Sequence, residues 1–241
     1  MLYLLPHALA LEVLMIFTRN EPLEQELLQE IDDSMYDGDR AQPSVSGMIY
    51  CLTRTFYENN LILPNEKGEL RVKHTDEQIL LFITGLGLEK TILTGRQISE
   101  AGETEGIQWH VDHYGLDDKF IEVKSTRGSS KTSDDISDGW KRQILAYFYV
   151  KGISEGDLAI LHLMGSYNPP FPQFRVWHLE ADQQEIVENW EWIKARAEVY
   201  KQAVATGEAP TPYKFNMDWE CKNCNWKGLC EAKSILNGRG M

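Results

Sequence analysis

Apolar residues recur at helical spacing in several stretches of the chain, and between them lie shorter segments that alternate or run unbroken as strands do. Residues 20–36 read as an acidic amphipathic helix, followed by a polar loop from Asp37 to Pro43. Pro43 and Ser44 open a second helix that runs to about Asn59 and carries Cys51. Thr75 and Gln78 form a capping-box pattern, and Ile79, Leu80, Phe82, Ile83 and Leu86 follow on the stripe of a third helix reaching about Thr91.

Segments near 93–100, 106–114 and 119–125, separated by the turn-rich strings AGETEG and GLDD, predict an antiparallel meander. Beyond the loop around Gly128 to Ser130, Ile136 to Lys151 forms a helix closed by Gly152 as a left-handed cap. Asp157 to Met164 is an apolar run typical of a strand covered on both faces, so strand, helix and strand predict a right-handed crossover. Arg175 to Leu179 adds a strand after NPPFPQ. A long helix capped by Asp182 and Glu185 then carries Ile186, Trp190, Ile193, Ala197, Tyr200 and Val204 along one stripe to Gly207. This order predicts an α/β fold, a mixed central sheet flanked by helices.

With 241 residues the chain can bury a full core, which favours one domain with appendages. Its apolar start, MLYLLPHALALEVLMIF, lacks a basic n-region and a small-residue cleavage site, contains Glu12, and is too short to span a bilayer. A buried N-terminal element, a cytoplasmic location and no membrane partner are the expectation. In that reducing compartment four cysteines are expected as metal ligands rather than disulfides. The formal charge of −13 disfavours a nucleic-acid partner over most of the surface. Local clusters can overrule it: Lys119, Lys124, Arg127 and Lys131; Lys141 and Arg142; Lys214, Lys222, Lys227 and Lys233.

The string CKNCNWKGLC sets Cys221, Cys224 and Cys230 close enough to converge on one centre, and Cys51 is the remaining cysteine. A four-cysteine site therefore closes the chain nearly end to end. Zinc and iron-sulfur clusters both accept four thiolates, and the three-plus-one spacing is more natural for a cluster.

In QWHVDHYGLDDKFIEVKST, Asp112 ends one predicted strand and Glu122, Val123 and Lys124 lie on the next. Alternation puts Glu122 and Lys124 on one face while Val123 points into the core. Two carboxylates and an ammonium in one patch suit a metal-dependent phosphodiesterase: hard divalent ions take oxygen ligands and activate a water, and the lysine orients that water or stabilises developing charge. Surface ion pairs on hairpins give the same pattern, so this motif alone decides little.

Four features in order do more: SVSGMIYCLTRTFY, Asp112 with Glu122-Val123-Lys124, Gln143 to Tyr147 as Q-x-x-x-Y, and CKNCNWKGLC preceded by GEAPTPY. Together they resemble the PD-(D/E)XK nuclease superfamily, and within it the RecB-like iron-sulfur exonucleases, the CRISPR-associated Cas-four family and modules of AddB and Dna-two type. The resemblance implies a restriction-endonuclease-like core over 1–241, with 44–60 and 208–241 together forming the iron-sulfur subdomain. It implies that Cys51, Cys221, Cys224 and Cys230 hold a structural 4Fe-4S cluster. Asp112, Glu122 and the Val123 carbonyl would hold magnesium or manganese, Lys124 would be the catalytic lysine, and Gln143 and Tyr147 would face the site.

The chain departs from the family at two places. Where the family has histidine in G-x-x-x-H, the string GLGLE puts Glu89, still an oxygen ligand, with His74 as its rival. Trp109 stands where the family has glycine, able to crowd the site or to stack on a base. His110 shares a face with Asp112 and is a supporting candidate. The implied activity is a DNA exonuclease on single-stranded ends, trimming DNA before spacer integration in CRISPR-based antiviral defence beside the integrase proteins. Phage or plasmid recombination and a non-catalytic DNA-end-binding module are the alternatives.

Overall fold

A computed structural model describes residues 19–34, 42–61, 75–92, 100–111, 113–114, 120–128, 136–164, 172–212, 218–222 and 224–236. The chain divides into two compact units, Met1–Met35 and Tyr36–Met241. The first contains α1 (Glu21–Ser34). The Asn20 side chain accepts from the Leu23 N–H at 3.2 Å, and Arg19 forks onto Glu24 at 3.0 and 3.1 Å. The apolar start expected as a buried element lies outside the described residues.

In the second unit the order is α2 (Val45–Ile49), α3 (Leu52–Asn60), α4 (Asp76–Ile92), β1 (Glu100–Thr104), β2 (Ile107–Val111), β3 (His113–Tyr114), β4 (Phe120–Thr126), α5 (Asp138–Lys151), β5 (Glu155–His162), β6 (Gln173–Glu180), α6 (Gln183–Thr206), α7 (Asp218–Lys222) and α8 (Lys227–Leu236). The main sheet runs β3-β4-β5-β6 and is mixed. Strands β4 and β5 are parallel, with Glu122 opposite Leu158, and are joined through α5; the outer pairs are antiparallel. Helices cover both faces. Phe120 shares a face with Glu122 and Lys124 by alternation, and its ring meets Tyr147 and Phe148 of α5 at 6.0 and 5.5 Å between centroids. On the opposite face, a Cβ at Gly85 of α4 would come 3.6 Å from the Ser125 hydroxyl.

The expected meander is split between sheets, since β1 and β2 form a separate hairpin; of the strand expected near 93–100, residues 93–99 lie outside the described residues. AGET, read as turn, is strand, and the turn proper is Glu105–Gly106, both at positive φ (52° and 75°) as a two-residue hairpin loop requires. Small residues serve here because Trp109 lies across Gly102 and donates its indole N–H to Thr104 at 2.9 Å. A Cβ at Gly102 would stand 2.4 Å from the Trp109 ring. Gly102→Val is therefore expected to destabilise the protein by about 1–3 kcal/mol, read as a lower urea midpoint, through overpacking. The hairpin tip is docked on α6, where Glu105 accepts from Trp190 Nε1 at 2.8 Å and pairs with Lys194 at 3.2 Å.

The expected single helix over 44–59 is broken at Tyr50–Cys51, which are extended between α2 and α3. The cause is tertiary. The buried Arg196 guanidinium of α6 donates to the carbonyls of Met48 and Tyr50, which an unbroken helix would have given to the N–H groups four residues on. Helix α4 has its capping box, with Thr75 N–H to Gln78 Oε1 at 2.9 Å and Gln78 N–H to Thr75 Oγ1 at 3.3 Å. Its stripe does not pack as expected: Ile79 is buried, whereas Leu80, Phe82 and Leu86 are exposed, because the helix meets β4 through its small residues at Gly85. On α6 the stripe ends with Ala203 buried in place of Val204. Asp182 caps that helix, accepting from the Glu185 N–H at 2.8 Å, and Trp190 stacks on Tyr149 at 4.7 Å.

Candidate functional site

A glutamate in the middle of a sheet strand is fully desolvated unless something answers its charge. Glu122 is such a residue, 0% exposed on β4, and Lys124 Nζ donates to its Oε1 at 2.5 Å. Alternation along the strand brings them together, and Val123 between them is buried on the other side, as the sequence predicts. Asp112 lies outside the described residues. The pairing of His113 with Ile121 nonetheless brings the chain that follows it alongside β4, next to Glu122.

On α5, Gln143 Nε2 donates to the Tyr147 hydroxyl at 2.8 Å, four residues apart on one helix face. Tyr147 is buried on the sheet face that carries Glu122. Helix α4 runs antiparallel to β4: Glu77 in its first turn pairs with Arg127 beyond the strand end, and Gly85 lies at Ser125. Position 89 follows one turn after Gly85 on this helix; the Glu89 side chain and all of His74 lie outside the described residues. His110 is exposed on β2, and Trp109 is on the other side of the hairpin, engaged with Gly102.

All four cysteines are free and half-buried. Cys51 stands at the joint of α2 and α3, Cys221 in α7, Cys224 in the following turn and Cys230 in α8. Contacts across more than 150 residues hold the two segments together. The Cys51 N–H donates to Glu220 Oε1 at 3.3 Å, and Thr53 Oγ1 donates to the Pro210 carbonyl at 2.8 Å. The Tyr57 and Trp226 rings meet at 5.3 Å, with Lys233 Nζ 5.1 Å from the Tyr57 centroid.

The thiols feel one another. Burial pushes the Cys230 pKa up to about 11, and Cys224, Cys51 and Cys221 add to the rise while Lys233 opposes it. Cys224 is raised by burial as well, with the Trp226 backbone N–H pulling the other way. As thiolates the four would repel in a partly dry site, and a bound cation relieves both penalties. Beside them the buried donors Arg54 Nε and Trp226 Nε1 have no hydrogen-bond acceptor among the described residues. Four half-buried thiols that influence one another, with spare N–H donors beside them, fit a thiolate-bound metal group.

Three residues passed over in the sequence connect these places. Tyr50 precedes Cys51, and its ring packs against Gly139 at the start of α5, where a Cβ would lie 2.9 Å from its hydroxyl. Burial raises its phenol pKa; Lys124 and Arg54 oppose that rise, and Glu220 and Glu122 add to it. Arg54 lies 5.7 Å over the Tyr50 ring and 3.8 Å from Glu220, which is 4% exposed. The only sequence signal was adjacency, since Tyr50 and Glu220 each directly precede a cysteine.

The expected basic clusters are largely spent inside the protein. Arg127 pairs with Glu77, Lys141 with Asp138 at 3.8 Å, and Arg142 binds Asn189 at 3.1 Å while stacking over Trp192 at 4.1 Å. Lys119, Lys131 and Lys214 lie outside the described residues. At the β5–β6 edge the exposed Glu155, His178 and Glu180 are grouped, and the His178 pKa is raised chiefly by its 2.9 Å hydrogen bond to Asp157. Among the described residues no helix is long and apolar enough to cross a membrane.

No protein-family model matches the chain, and no curated protein matches its sequence. Solved structures do. An alkaline exonuclease from Laribacter hongkongensis is 13% identical, with 74% of this chain and 95% of that one covered at a TM-score of 0.42. A phage-related exonuclease from Haemophilus somnus is 12% identical, with 73% and 99% covered at 0.44. Both fall below the level at which a shared fold is established. The crystal structure of SSO0001 is 19% identical and covers 88% of this chain and 96% of its own at a TM-score of 0.54. The chain shares with SSO0001 its fold, here a mixed α/β sheet flanked by helices.

Proposed function

We propose that this protein is a divalent-metal-dependent DNA exonuclease acting on single-stranded ends, built as one nuclease domain over 1–241 with an iron-sulfur subdomain formed by 44–60 and 208–241. The observation that carries the reading is the desolvated Glu122 held by Lys124 on a central strand. An ion pair there is hard to explain as surface decoration, because a buried pair costs more than apolar packing unless it has work to do. Glu122, Asp112, Glu89 and the Val123 carbonyl would hold magnesium or manganese, which supplies Lewis-acid stabilisation and an activated water when bound. Lys124 holds the Glu122 carboxylate in place and offers its ammonium to charge developing on the phosphate. Gln143 and Tyr147, bonded to each other, line the helix side.

For the cysteine centre, the three-plus-one spacing of Cys51 with Cys221, Cys224 and Cys230 is our ground for a polynuclear 4Fe-4S cluster over a single zinc ion. Trimming of DNA ends before CRISPR spacer integration is the process in which we place the enzyme, on the four motifs quoted above, with integrase proteins as partners.

The test is cleavage of an end-labelled single strand with and without manganese, repeated with Glu89→Ala and His74→Ala. Wild type should cleave only with the metal, Glu89→Ala should be as inactive as Asp112→Ala, and His74→Ala should be nearly silent. The reverse ranking would move the third ligand to His74. Metal-independent wild-type cleavage would sink the mechanism.

A further inference from the structure

Between the α2–α3 segment and the β1–β2 hairpin lies a cleft of about 950 Å³. Tyr50, Phe82 and Tyr147 line it with aromatic surface, and Gln108 and His110, alternate residues on the exposed face of β2, bring an amide and an imidazole. Its charge is wrong for a phosphate: Glu58 and Glu103 are in the lining, and among the described residues the one guanidinium there, Arg54, is shared between Glu58 and Glu220. A flat, neutral group with hydrogen-bonding edges suits these walls better. The cleft also borders the proposed nuclease site, because Tyr147, bonded to Gln143 on the sheet face that carries Glu122, is part of its lining.

We propose that this cleft receives an unpaired nucleobase of the substrate strand, stacked on Tyr50 and bonded along its edge by Gln108 and His110, with the adjoining phosphate left outside at Glu122 and Lys124. The proposal rests on the nuclease reading and gives it a reason to prefer single strands, since a base within a duplex cannot enter. The Tyr50 ring is well prepared for the task. Its main chain is fixed by Arg196, the next N–H by Glu220, its hydroxyl edge by Gly139, and Arg54 backs the ring. A pre-placed ring loses little freedom when a base stacks on it.

The experiment compares binding of a fluorescein-labelled oligo-dT with that of the same backbone carrying abasic residues, by anisotropy in calcium so that no turnover intervenes. Wild type should bind the base-bearing strand about tenfold or more tightly, the scale of one base–aromatic stack. Tyr50→Phe should keep this ratio and the wild-type melting temperature, and Tyr50→Ala should bring the ratio near one while the visible absorbance is kept, with a lower melting temperature from the lost ring packing. Phe82→Ala, on an exposed helix face, should lower the ratio too and decides the matter if Tyr50→Ala fails to fold. A wild-type ratio near one, or a ratio that survives Tyr50→Ala and Phe82→Ala, overturns the proposal. Wild type that discriminates but never cleaves in manganese removes the nuclease reading and leaves the base cleft standing. Wild type that cleaves with a ratio near one does the reverse, and wild type that neither binds nor cleaves removes both.

Discussion

Glu122→Gln and Lys124→Ala are each expected to lower manganese-dependent cleavage by about 10²- to 10⁴-fold, the range that follows removal of a positioned charged or proton-transferring group. The two should part company in stability. Lys124→Ala leaves the desolvated Glu122 carboxylate without the ammonium that holds it at 2.5 Å, which costs about 3–5 kcal/mol when one member of a buried pair is removed. Glu122→Gln keeps the shape of the side chain, and the Lys124 ammonium, 19% exposed, can turn to water. The double variant Glu122→Gln, Lys124→Met should therefore recover most of the stability lost in Lys124→Ala while remaining inactive. Denaturant midpoints beside end-label assays give both readings. A double variant that is stable and active would show the pair to be structural and would leave the proposed chemistry without its residues.

The second large effect is expected at the joint of the cysteine centre. Cys51→Ser should abolish the brown colour and absorbance near about 400 nm characteristic of thiolate-bound iron. It should also destabilise more than Gly102→Val, because metal-binding energy in such a centre is folding energy, about 10–16 kcal/mol in zinc-finger peptides. The geometry says where the damage spreads. Cys51 is the one proposed ligand outside the tail, so its loss would remove the proposed metal link between α3 and α7–α8 and leave contacts such as those with Glu220, Pro210 and Trp226 to hold them. Proteolysis within 218–236 should quicken. Cys230→Ser should lose the same colour, since Cys230 is coupled to all three others. Iron and sulfide analysis checks both variants; a colourless wild type holding one zinc per chain would replace the cluster with a single ion.

Local pattern carries a fold only as far as it does not depend on partners. The caps at Thr75, Asp182, Gly152 and Gly207, the α6 stripe as far as Tyr200 and the apolar run of β5 are short-range facts, and the structure has each of them. The pairing of Glu122 with Lys124 was legible for the same reason, because a strand turns every second side chain to one face. The cysteine spacing implied that the thiols stand near one another, and their mutual influence agrees with that much.

Tertiary contacts decided the rest. AGET looks like turn until Trp109 arrives across the hairpin and leaves room only for glycine at 102. The helix expected over 44–59 breaks because Arg196, nearly 150 residues away, takes two of its carbonyls, and Glu220 takes the N–H of Cys51. That break sets Tyr50 beside Cys51 and against Gly139 of α5, a placement no local periodicity encodes. The sequence by itself determined which chemistry-bearing residues this protein has and which of them share a strand or helix face; only the folded chain, through hydrogen bonds between distant segments that override local propensity, decided which segments carry those groups together.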